Sequence, residues 1–130
     1  MSVSAQFYKS FLEQEGYHPT IDSDGDVLFK SEGKSYIIDI DEKDATYFRV
    51  WYPNFWSIED TAELTRALLA ANHATMLTKV AKVYVRSDGK NVNASLELFV
   101  ERPEQFKPLF NRAMSALRAS VSNFVEKMKQ

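Results

Sequence analysis

Short stretches of alternating apolar and polar residues predict several β-strands in this chain. Residues 45–56, ATYFRVWYPNFW, begin with a run of aromatic and β-branched residues that is typical of a strand, and Pro53-Asn54 is expected to end it. One side of this strand carries Phe48, Val50 and Tyr52, and the other carries Tyr47, Arg49 and Trp51. The second side is too apolar for a solvated face, so we expect it to meet helices, a second subunit or a ligand.

Turn residues predict two β-hairpins. Val27–Ser31 and residues 34–40 flank Glu32-Gly33, and a two-residue loop with glycine in second place favours a primed turn. Residues 77–86 and 91–101 flank an Asp-Gly turn within residues 87–90. The predicted pairs are Ser31–Lys34, Phe29–Tyr36, Val27–Ile38, Val85–Val92, Val83–Ala94, Ala81–Leu96 and Leu77–Val100, and a loop over residues 41–45 adds the pairs Phe48–Ile38 and Val50–Tyr36.

Apolar stripes and end signals predict three helices. Residues 3–15 precede Gly16, a residue typical of the position after a helix. Ser57 is the expected N-cap of a helix that continues to about Asn72, and its small residues indicate close packing against a neighbour. Pro103 suits the first turn of a long final helix. The order αβββαββα predicts one α+β domain over residues 1–130, with an antiparallel sheet of about five strands and helices mainly on one face.

The composition narrows the classes of function. A net charge of −2 offers no general attraction to nucleic acid or to an anionic membrane. The absence of cysteine excludes disulfides, thiolate zinc sites and cysteine nucleophiles. The first residues lack the basic and apolar regions of a signal peptide, and no apolar segment reaches the roughly 18 residues of a membrane span. We therefore expect a cytoplasmic protein that binds neither membrane nor nucleic acid.

Each candidate for chemistry has a simpler structural interpretation. Residues 22–26, DSDGD, invite a calcium loop, but Val27 and Gly33 stand where an EF-hand needs glycine and glutamate, so an acidic turn is favoured. A second acidic group favours a solvated strand end over a weak metal site or a carboxylate pair: Asp39, Asp41, Glu42 and Asp44. No phosphate-binding loop, nucleophile elbow or HExxH motif is present. We expect no catalytic residue, no metal and no cofactor.

The basic residues of the final helix are a candidate nucleic-acid surface. They alternate with Glu104 and Glu126 on the side expected to face solvent, which favours an ordinary solvated face. The residues concerned are Arg102, Lys107, Arg112, Arg118, Lys127 and Lys129.

The outer face of the predicted sheet is the strongest candidate for a binding site. It combines aromatic residues and arginines, the types that contribute most to interface energies, with enough apolar surface to indicate a partner. The alternative is that a helix covers this face and makes it a second core layer. The predicted partner-binding residues are Tyr47, Arg49, Trp51, Val80, Lys82, Tyr84, Arg86 and Phe99.

Several segments resemble the YbjN-like bacterial proteins. They are Pro53-Asn54-Phe55-Trp56 before a capped helix, Ala70-Ala71-Asn72 near its end, residues 79–83 (KVAKV), residues 94–99 (ASLELF) and the long final helix. The resemblance implies a fold similar to type III secretion chaperones: a helix-covered sheet, commonly dimeric, that holds peptide segments of clients. It also implies cytoplasmic binding or regulation without a cofactor, and it provides no catalytic residues.

Three hypotheses follow for the function. The first is a non-enzymatic, homodimeric domain that binds a protein or peptide client through the aromatic sheet face. The second is a small-molecule-binding domain or weak enzyme with a cleft near Trp56, Asn72 and His73. The third is nucleic-acid binding.

Overall fold

A computed structural model describes residues 2–130. Within that range the chain forms three α-helices, a 3₁₀ segment and six strands in one sheet of order β1-β2-β3-β4-β6-β5. The helices are α1 (Val3–Gln14), α2 (Thr61–Leu77) and α3 (Phe110–Met128), and the 3₁₀ segment is Pro103–Leu109. The strands are β1 (Thr20–Ile21), β2 (Val27–Ser31), β3 (Lys34–Ile38), β4 (Tyr47–Ser57), β5 (Ala81–Val85) and β6 (Asn91–Phe99). The α+β class and the antiparallel sheet are confirmed, with β1 as an additional short strand.

The chain divides into two compact units. Unit 1 comprises Met1–Val50 and Glu97–Phe110, and unit 2 comprises Trp51–Leu96 and Asn111–Gln130. Strands β4 and β6 each contribute residues to both units. No helix among residues 2–130 is both long enough and apolar enough to cross a membrane.

Unit 1 is built around aromatic side chains. The buried ring of Phe106 in the 3₁₀ segment lies 4.6 Å from Phe11 and 4.7 Å from Tyr8 of α1, and 5.1 Å from Phe48 of β4, measured between ring centroids. Burial, with a smaller contribution from the negative charge of Glu104, raises the pKa of Tyr8 to about 12. These contacts place α1 and the 3₁₀ segment on the side of the sheet that carries Phe48.

The ends of α1 agree with its sequence signals. The Ser2 hydroxyl accepts the Ala5 N–H at the N-terminus. At the C-terminus, Gly16 has φ +95°, and the N–H groups of Gly16 and Tyr17 donate to the carbonyls of Glu13 and Leu12. This hydrogen-bond pattern is the Schellman motif, which needs a left-handed residue where Gly16 stands.

Both hairpins have the predicted registers. Phe29 pairs with Tyr36 and Val27 with Ile38 in the first hairpin. Glu32 and Gly33 both have positive φ, as a type I′ turn requires. In the second hairpin, β5 and β6 pair Val85 with Val92, Val83 with Ala94 and Ala81 with Leu96.

Strand β4 differs from its prediction, because it continues through Pro53-Asn54 to Ser57. Asn54 has φ +52°, and its N–H donates to the Asn93 side-chain oxygen at 2.8 Å. This irregularity has the character of a bulge, the position at which a strand accommodates proline. It also shifts the alternation of side chains, so Tyr52 stacks on Phe55, with 5.6 Å between the ring centroids.

The register between β3 and β4 was predicted wrongly by two residues. The Asp39 N–H donates to the Arg49 carbonyl at 3.0 Å, and residues joined in this way oppose each other in an antiparallel pair. Asp39 therefore lies opposite Arg49, and Ile38 opposite Val50 instead of Phe48. A shift of two residues leaves every side chain on its predicted face, so Phe48 and Val50 are buried as expected.

Helix α2 begins and ends later than predicted. Asp60, not Ser57, is the N-cap and accepts the Glu63 N–H at 2.8 Å. The helix passes Asn72 and ends at Leu77, because residues 73–77 (HATML) contain no glycine or proline to stop it. The following strand therefore begins at Ala81, and the predicted pairing of Leu77 with Val100 is wrong.

The final helix is not one continuous α-helix. Pro103 lies in the first turn of the 3₁₀ segment, as predicted for a helix start. Pro108 lies inside that segment. A proline lacks the N–H that an α-helical hydrogen bond needs, which explains why regular α-helix begins only at Phe110.

Candidate functional site

In unit 1 the outer side of the sheet carries a cluster of paired charges. The Arg49 guanidinium forms an ion pair with Asp39, and its Nε lies 3.9 Å from a carboxylate oxygen of Glu97. The Tyr47 hydroxyl donates a hydrogen bond to Glu97. Burial, followed by the hydrogen bond and negative charge of Glu97, raises the pKa of Tyr47 above its usual range. Arg49 and Tyr47 are thus held in place by residues of their own unit.

The ion-pair partners of Arg49 were not predicted from the sequence. The side chain of Arg49 is only 15% exposed, so it has a structural role within the face. The sequence did contain a sign of this pairing. The acidic residues Asp39 and Glu97 lie on the same predicted side of the sheet as the basic Arg49. The two-residue error in the register concealed that Asp39 opposes Arg49.

Phe99 is the most exposed aromatic residue assigned to this face. Its side chain is 82% exposed, and its ring lies 6.1 Å from that of Tyr47. Phe99 shares its side of β6 with Glu97, because side chains two residues apart in a strand point the same way. Unit 1 therefore brings Tyr47, Arg49 and Phe99 together, as the alternation predicted.

In unit 2, two of the predicted residues belong to a hydrogen-bond network that includes a buried asparagine. The Asn93 side-chain N–H donates to the Tyr84 hydroxyl at 3.4 Å, and its oxygen accepts the Asn54 N–H. The Arg86 guanidinium donates to the Asn54 side-chain oxygen at 2.8 Å. The network joins β4, β5 and β6 through polar side chains, so Tyr84 and Arg86 also help to hold the bulge at Asn54.

The other predicted residues of unit 2 differ in position and exposure. Trp51 is half-buried on β4, and Lys82 is exposed on β5 between the buried residues Ala81 and Val83. Val80 precedes β5 instead of belonging to it, and its side chain is 60% exposed.

The structure places Trp56 beside the first turn of α2 and Asn72 more than two turns later in that helix. The Trp56 indole N–H donates to Glu63 at 3.3 Å, and its ring packs on Phe124 of α3. Asn72 lies nine residues beyond Glu63 along α2, about 13 Å at the helical rise. A cleft of 520 Å³ does occur in unit 2, but its lining is Ser57, Ile58, Glu59, Asp60, Thr61, Leu64, Asp88, Gly89, Lys90 and Asn91.

A second cleft lies in unit 1 beside α1. Its volume is 570 Å³, and the Lys107 ammonium lies 4.9 Å from the centroid of the Phe7 ring, within cation–π distance. The cleft is lined by Ser2, Val3, Gln6, Phe7, Ser10, Phe11, Gln14 and Lys107. None of the predicted partner-binding residues contributes to it.

The acidic turn uses its carboxylates to hold backbone. One carboxylate oxygen from each of Asp22, Asp24 and Asp26 lies within 4.8 Å of the others. Asp22 accepts the N–H groups of Asp24 and Asp26, and Asp26 accepts the N–H of Ile40 at 2.8 Å. Burial raises the pKa of the Asp26 carboxyl. These contacts agree with the acidic-turn interpretation.

Three members of the second acidic group also make contacts with neighbouring residues. Asp39 pairs with Arg49, Asp41 accepts the N–H of Lys43 at 3.0 Å, and Asp44 accepts the Thr46 hydroxyl at 3.1 Å. Among residues 2–130, only the turn at Asp22 groups three metal-ligating side chains closely.

Comparison with known proteins gives a family and a set of similar folds. The family model described as "YbjN: Putative bacterial sensory transduction regulator" matches residues 9–122. No curated protein sequence matches the chain. An uncharacterized protein from Methanothermobacter thermautotrophicus has a similar structure, with a TM-score of 0.63 and 11% identity over 98% of both chains.

Two further structures have the same fold. A chain of the HopA1-SchA chaperone-effector complex has a TM-score of 0.63 and 14% identity over 100% of this chain and 99% of its own. YbjN from E. coli, described as a putative transcription regulator, has a TM-score of 0.62 and 10% identity over 92% of this chain and 87% of its own. At these identities the likeness concerns the fold.

Proposed function

Because the chain belongs to the YbjN family, we propose that it is a non-enzymatic, chaperone-like or regulatory domain that binds a protein or peptide client in the cytoplasm. It acts as a homodimer and contacts the client through the outer face of its sheet. A chain of a chaperone–effector complex shares its fold, which supports a protein as the partner.

The exposure of Phe99 is the observation that carries this proposal. A phenyl ring that is 82% exposed at the end of a strand, with the Tyr47 ring beside it, contributes little to its own core, whereas aromatic rings are frequent anchors of interfaces. The neighbouring Tyr47 presents a further ring, and Glu97 and Arg49 form a charged border beside it. A client with an apolar residue against Phe99 would exclude water from both rings.

The structure also indicates which residues provide clean tests. Replacing Tyr84 with serine would remove the hydroxyl that accepts the buried Asn93 amide, so a loss of binding could reflect damage to the fold. Phe99 makes no comparable polar contact through its side chain, and its exposure predicts that Phe99→Ser leaves the fold intact.

The experiment selects peptides on the wild-type protein from a displayed random library and measures them by fluorescence polarisation. We expect Phe99→Ser to weaken binding about tenfold or more, because loss of an aromatic anchor costs about 2 kcal/mol. Leu109→Ser is the matched control: it also removes an exposed apolar side chain from unit 1, but outside the sheet face. Circular dichroism verifies that both variants are folded.

Two results would contradict the proposal. One is that the library yields no peptide that binds the wild type in solution. The other is that Phe99→Ser and Leu109→Ser weaken binding to the same extent, because the sheet face would then contribute nothing specific. Trp51→Ser tests the part of the predicted site that lies in unit 2: its peptide affinity is compared with those of the wild type and Leu109→Ser in the same way.

A further inference from the structure

The acidic residues of unit 1 are concentrated at one end of its part of the sheet. Residues 22–26, 39–49 and 97–102 contain nine acidic residues and three basic ones, whereas the whole chain has a net charge of −2. The rest of the chain therefore has an excess of positive charge. We call these three segments the acidic end, and its acidic members are Asp22, Asp24, Asp26, Asp39, Asp41, Glu42, Asp44, Glu97 and Glu101.

Hydrogen bonds hold the three segments of the acidic end together. The Asp26 carboxylate accepts the Ile40 N–H at 2.8 Å, which joins the first segment to the second. The Val100 N–H donates to the Thr46 carbonyl at 2.8 Å, which joins the third segment to the second. Negative charges that are far apart in the sequence are thus brought to the same end of the sheet.

A row of four charged residues crosses the sheet at the acidic end, and two of its acidic members are more exposed than its arginine. Continued by one residue, the register of the first hairpin places Asp26 opposite Asp39. Asp39 opposes Arg49, and Arg49 lies beside Glu97. The side chains of Asp39 and Glu97 are 32% and 22% exposed, against 15% for Arg49. These carboxylates are thus more accessible to a partner than the guanidinium between them.

Two titratable groups indicate an excess of negative charge at the acidic end. Burial raises the pKa of the Asp26 carboxyl, and the charges of three neighbouring aspartates raise it further, although its hydrogen bond to Ile40 opposes the shift. Burial also contributes most to the raised pKa of Tyr47, followed by the hydrogen bond and the charge of Glu97, while the opposing effect of Arg49 is smaller. A cation placed beside these groups would be stabilised by the same negative charges.

The aromatic pair of the candidate site, Tyr47 and Phe99, lies within the acidic end. Glu97 and Glu101 are each two residues from Phe99, and the Asp44 carbonyl accepts the Tyr47 N–H at 3.1 Å. A client that fits this surface offers apolar area to the rings and positive charge to the carboxylates around them. We propose that the client segment is cationic, with an apolar residue against Phe99 that is flanked by lysine or arginine.

Lysine and arginine side chains meet both requirements. Their aliphatic stems cover apolar surface while the charged group reaches a carboxylate or solvent, and the charged group also binds the face of an aromatic ring. Complementary charge contributes to the choice of partner and to the rate of association, and an acidic segment of equal apolarity would be repelled. The inference rests on the proposed function, because it assigns the chemistry of the client for the same face.

The first test examines the peptides that the wild-type protein selects from a displayed random library. They should carry more lysine and arginine than the unselected library. Replacing these residues with glutamine in the tightest peptide should weaken its binding about tenfold, measured by fluorescence polarisation. The affinity of the original peptide should fall as the sodium chloride concentration rises, because salt screens charges at a solvated surface.

A pair of substitutions tests the acidic end itself. Asp44→Asn combined with Glu101→Gln removes two charges; the asparagine can still accept the Thr46 hydroxyl, and Glu101 is exposed. We expect this double variant to bind the selected peptide about threefold or more weakly at low salt. Glu59→Gln combined with Asp88→Asn is the matched control, since it removes two exposed carboxylates from unit 2 and gives the same net charge. The control should bind like the wild type, and circular dichroism verifies that both double variants are folded.

The possible outcomes separate this inference from the proposed function. Peptides that need Phe99 but carry no excess of lysine or arginine would overturn the inference and leave the proposed function in place. Equal losses in the two double variants, or no loss in either, would do the same, because the acidic end would then contribute nothing specific. Cationic peptides that bind Phe99→Ser as tightly as the wild type would overturn both, as would a library that yields no binding peptide.

Discussion

Val80 in unit 2 combines a strained backbone with an exposed apolar side chain. Val80 adopts φ +66° between α2 and β5, where glycine or asparagine is the usual choice. Its N-terminal neighbour Lys79 accepts the Ala81 N–H at 2.7 Å, which fixes a tight turn at this point. Retaining a valine here costs conformational energy without burying the side chain, as expected if the side chain is needed by a partner.

Val80→Gly should therefore make the isolated protomer more stable. Left-handed backbone costs an ordinary residue about 1–2 kcal/mol, and the greater freedom of unfolded glycine offsets about 0.5–1 kcal/mol of that gain. We expect the free energy of unfolding to rise by about 0.5–1 kcal/mol, measured in urea at a low protein concentration. Val80→Ala should gain less, because it retains Cβ; an equal gain would mean that backbone strain is not the cause.

Asp26 should make stability depend on pH with a sign opposite to that of a salt-bridged carboxylate. Burial first, then the charges of Asp39, Asp22 and Asp24, raise its pKa above the ordinary value of 3.8, although its hydrogen bond to Ile40 opposes the shift. The folded state therefore binds this proton more tightly than the unfolded chain. The contribution of Asp26 to the free energy of unfolding falls as pH rises from 3.8 through the raised value.

Asp26→Asn isolates that contribution, because the amide oxygen can still accept the Ile40 N–H. We expect the variant to be more stable than the wild type at neutral pH. The difference should disappear below pH 3.8, where Asp26 is protonated in both states. Urea unfolding across pH measures it, with Glu42→Gln at an exposed position as the control. A difference that grows on acidification would contradict the argument.

Helix α2 also protects the edge of the sheet at β5. The Thr75 hydroxyl accepts the Val83 N–H at 2.8 Å and donates to the Val83 carbonyl at 3.1 Å. An unpaired edge strand otherwise offers these groups to other chains. The Thr75 hydroxyl thus forms, at Val83, the two backbone hydrogen bonds that a neighbouring strand would otherwise form.

Thr75→Val should destabilise unit 2, because it preserves side-chain shape but leaves both groups of Val83 without this partner. We expect a loss of about 1–2 kcal/mol in the free energy of unfolding. Thr65→Val is the control in the same helix, since its hydroxyl donates only to the Thr61 carbonyl on an exposed side. Equal losses in the two variants would show that the edge contact contributes nothing beyond a change in helix propensity.

Local signals explain which elements could be predicted from the sequence. The registers of both hairpins were correct, because glycine turns and a period of two leave little freedom. The limits of α2 were wrong because Ser57 and Asp60 are both acceptable N-caps, and only the structure selects between them. The continuation of β4 past Pro53 depends on Asn93, which is 39 residues away in sequence.

Only part of the candidate site could be predicted from the sequence. Strand alternation placed Tyr47, Arg49 and Phe99 on one side of the sheet, and the structure brings them together. The exposed apolar side chains of α2, among them Leu69 and Met76, were not recognised, because only the small residues of this helix were interpreted. Helical periodicity identifies an apolar side but does not show which side faces the core.

The distribution of charge over the whole chain bears on the nucleic-acid hypothesis. The net charge is −2, and the basic residues of the last helical region are partly occupied. The Lys107 ammonium lies over the Phe7 ring, and the Lys127 ammonium donates to the Gln130 side chain at 3.3 Å. The contacts of Lys107 and Lys127 agree with the interpretation of these basic residues as an ordinary solvated face.

We expect the protein not to bind a random-sequence DNA duplex or single-stranded RNA, even at low salt. Phosphate contacts dominate such affinities, so a true nucleic-acid site gives binding that weakens linearly in log–log plots against salt concentration. Fluorescence polarisation with labelled oligonucleotides at two salt concentrations measures this. Saturable, salt-dependent binding that Arg112→Gln weakens and Phe99→Ser does not would contradict the client-binding proposal, because the functional surface would then lie on α3 instead of the sheet.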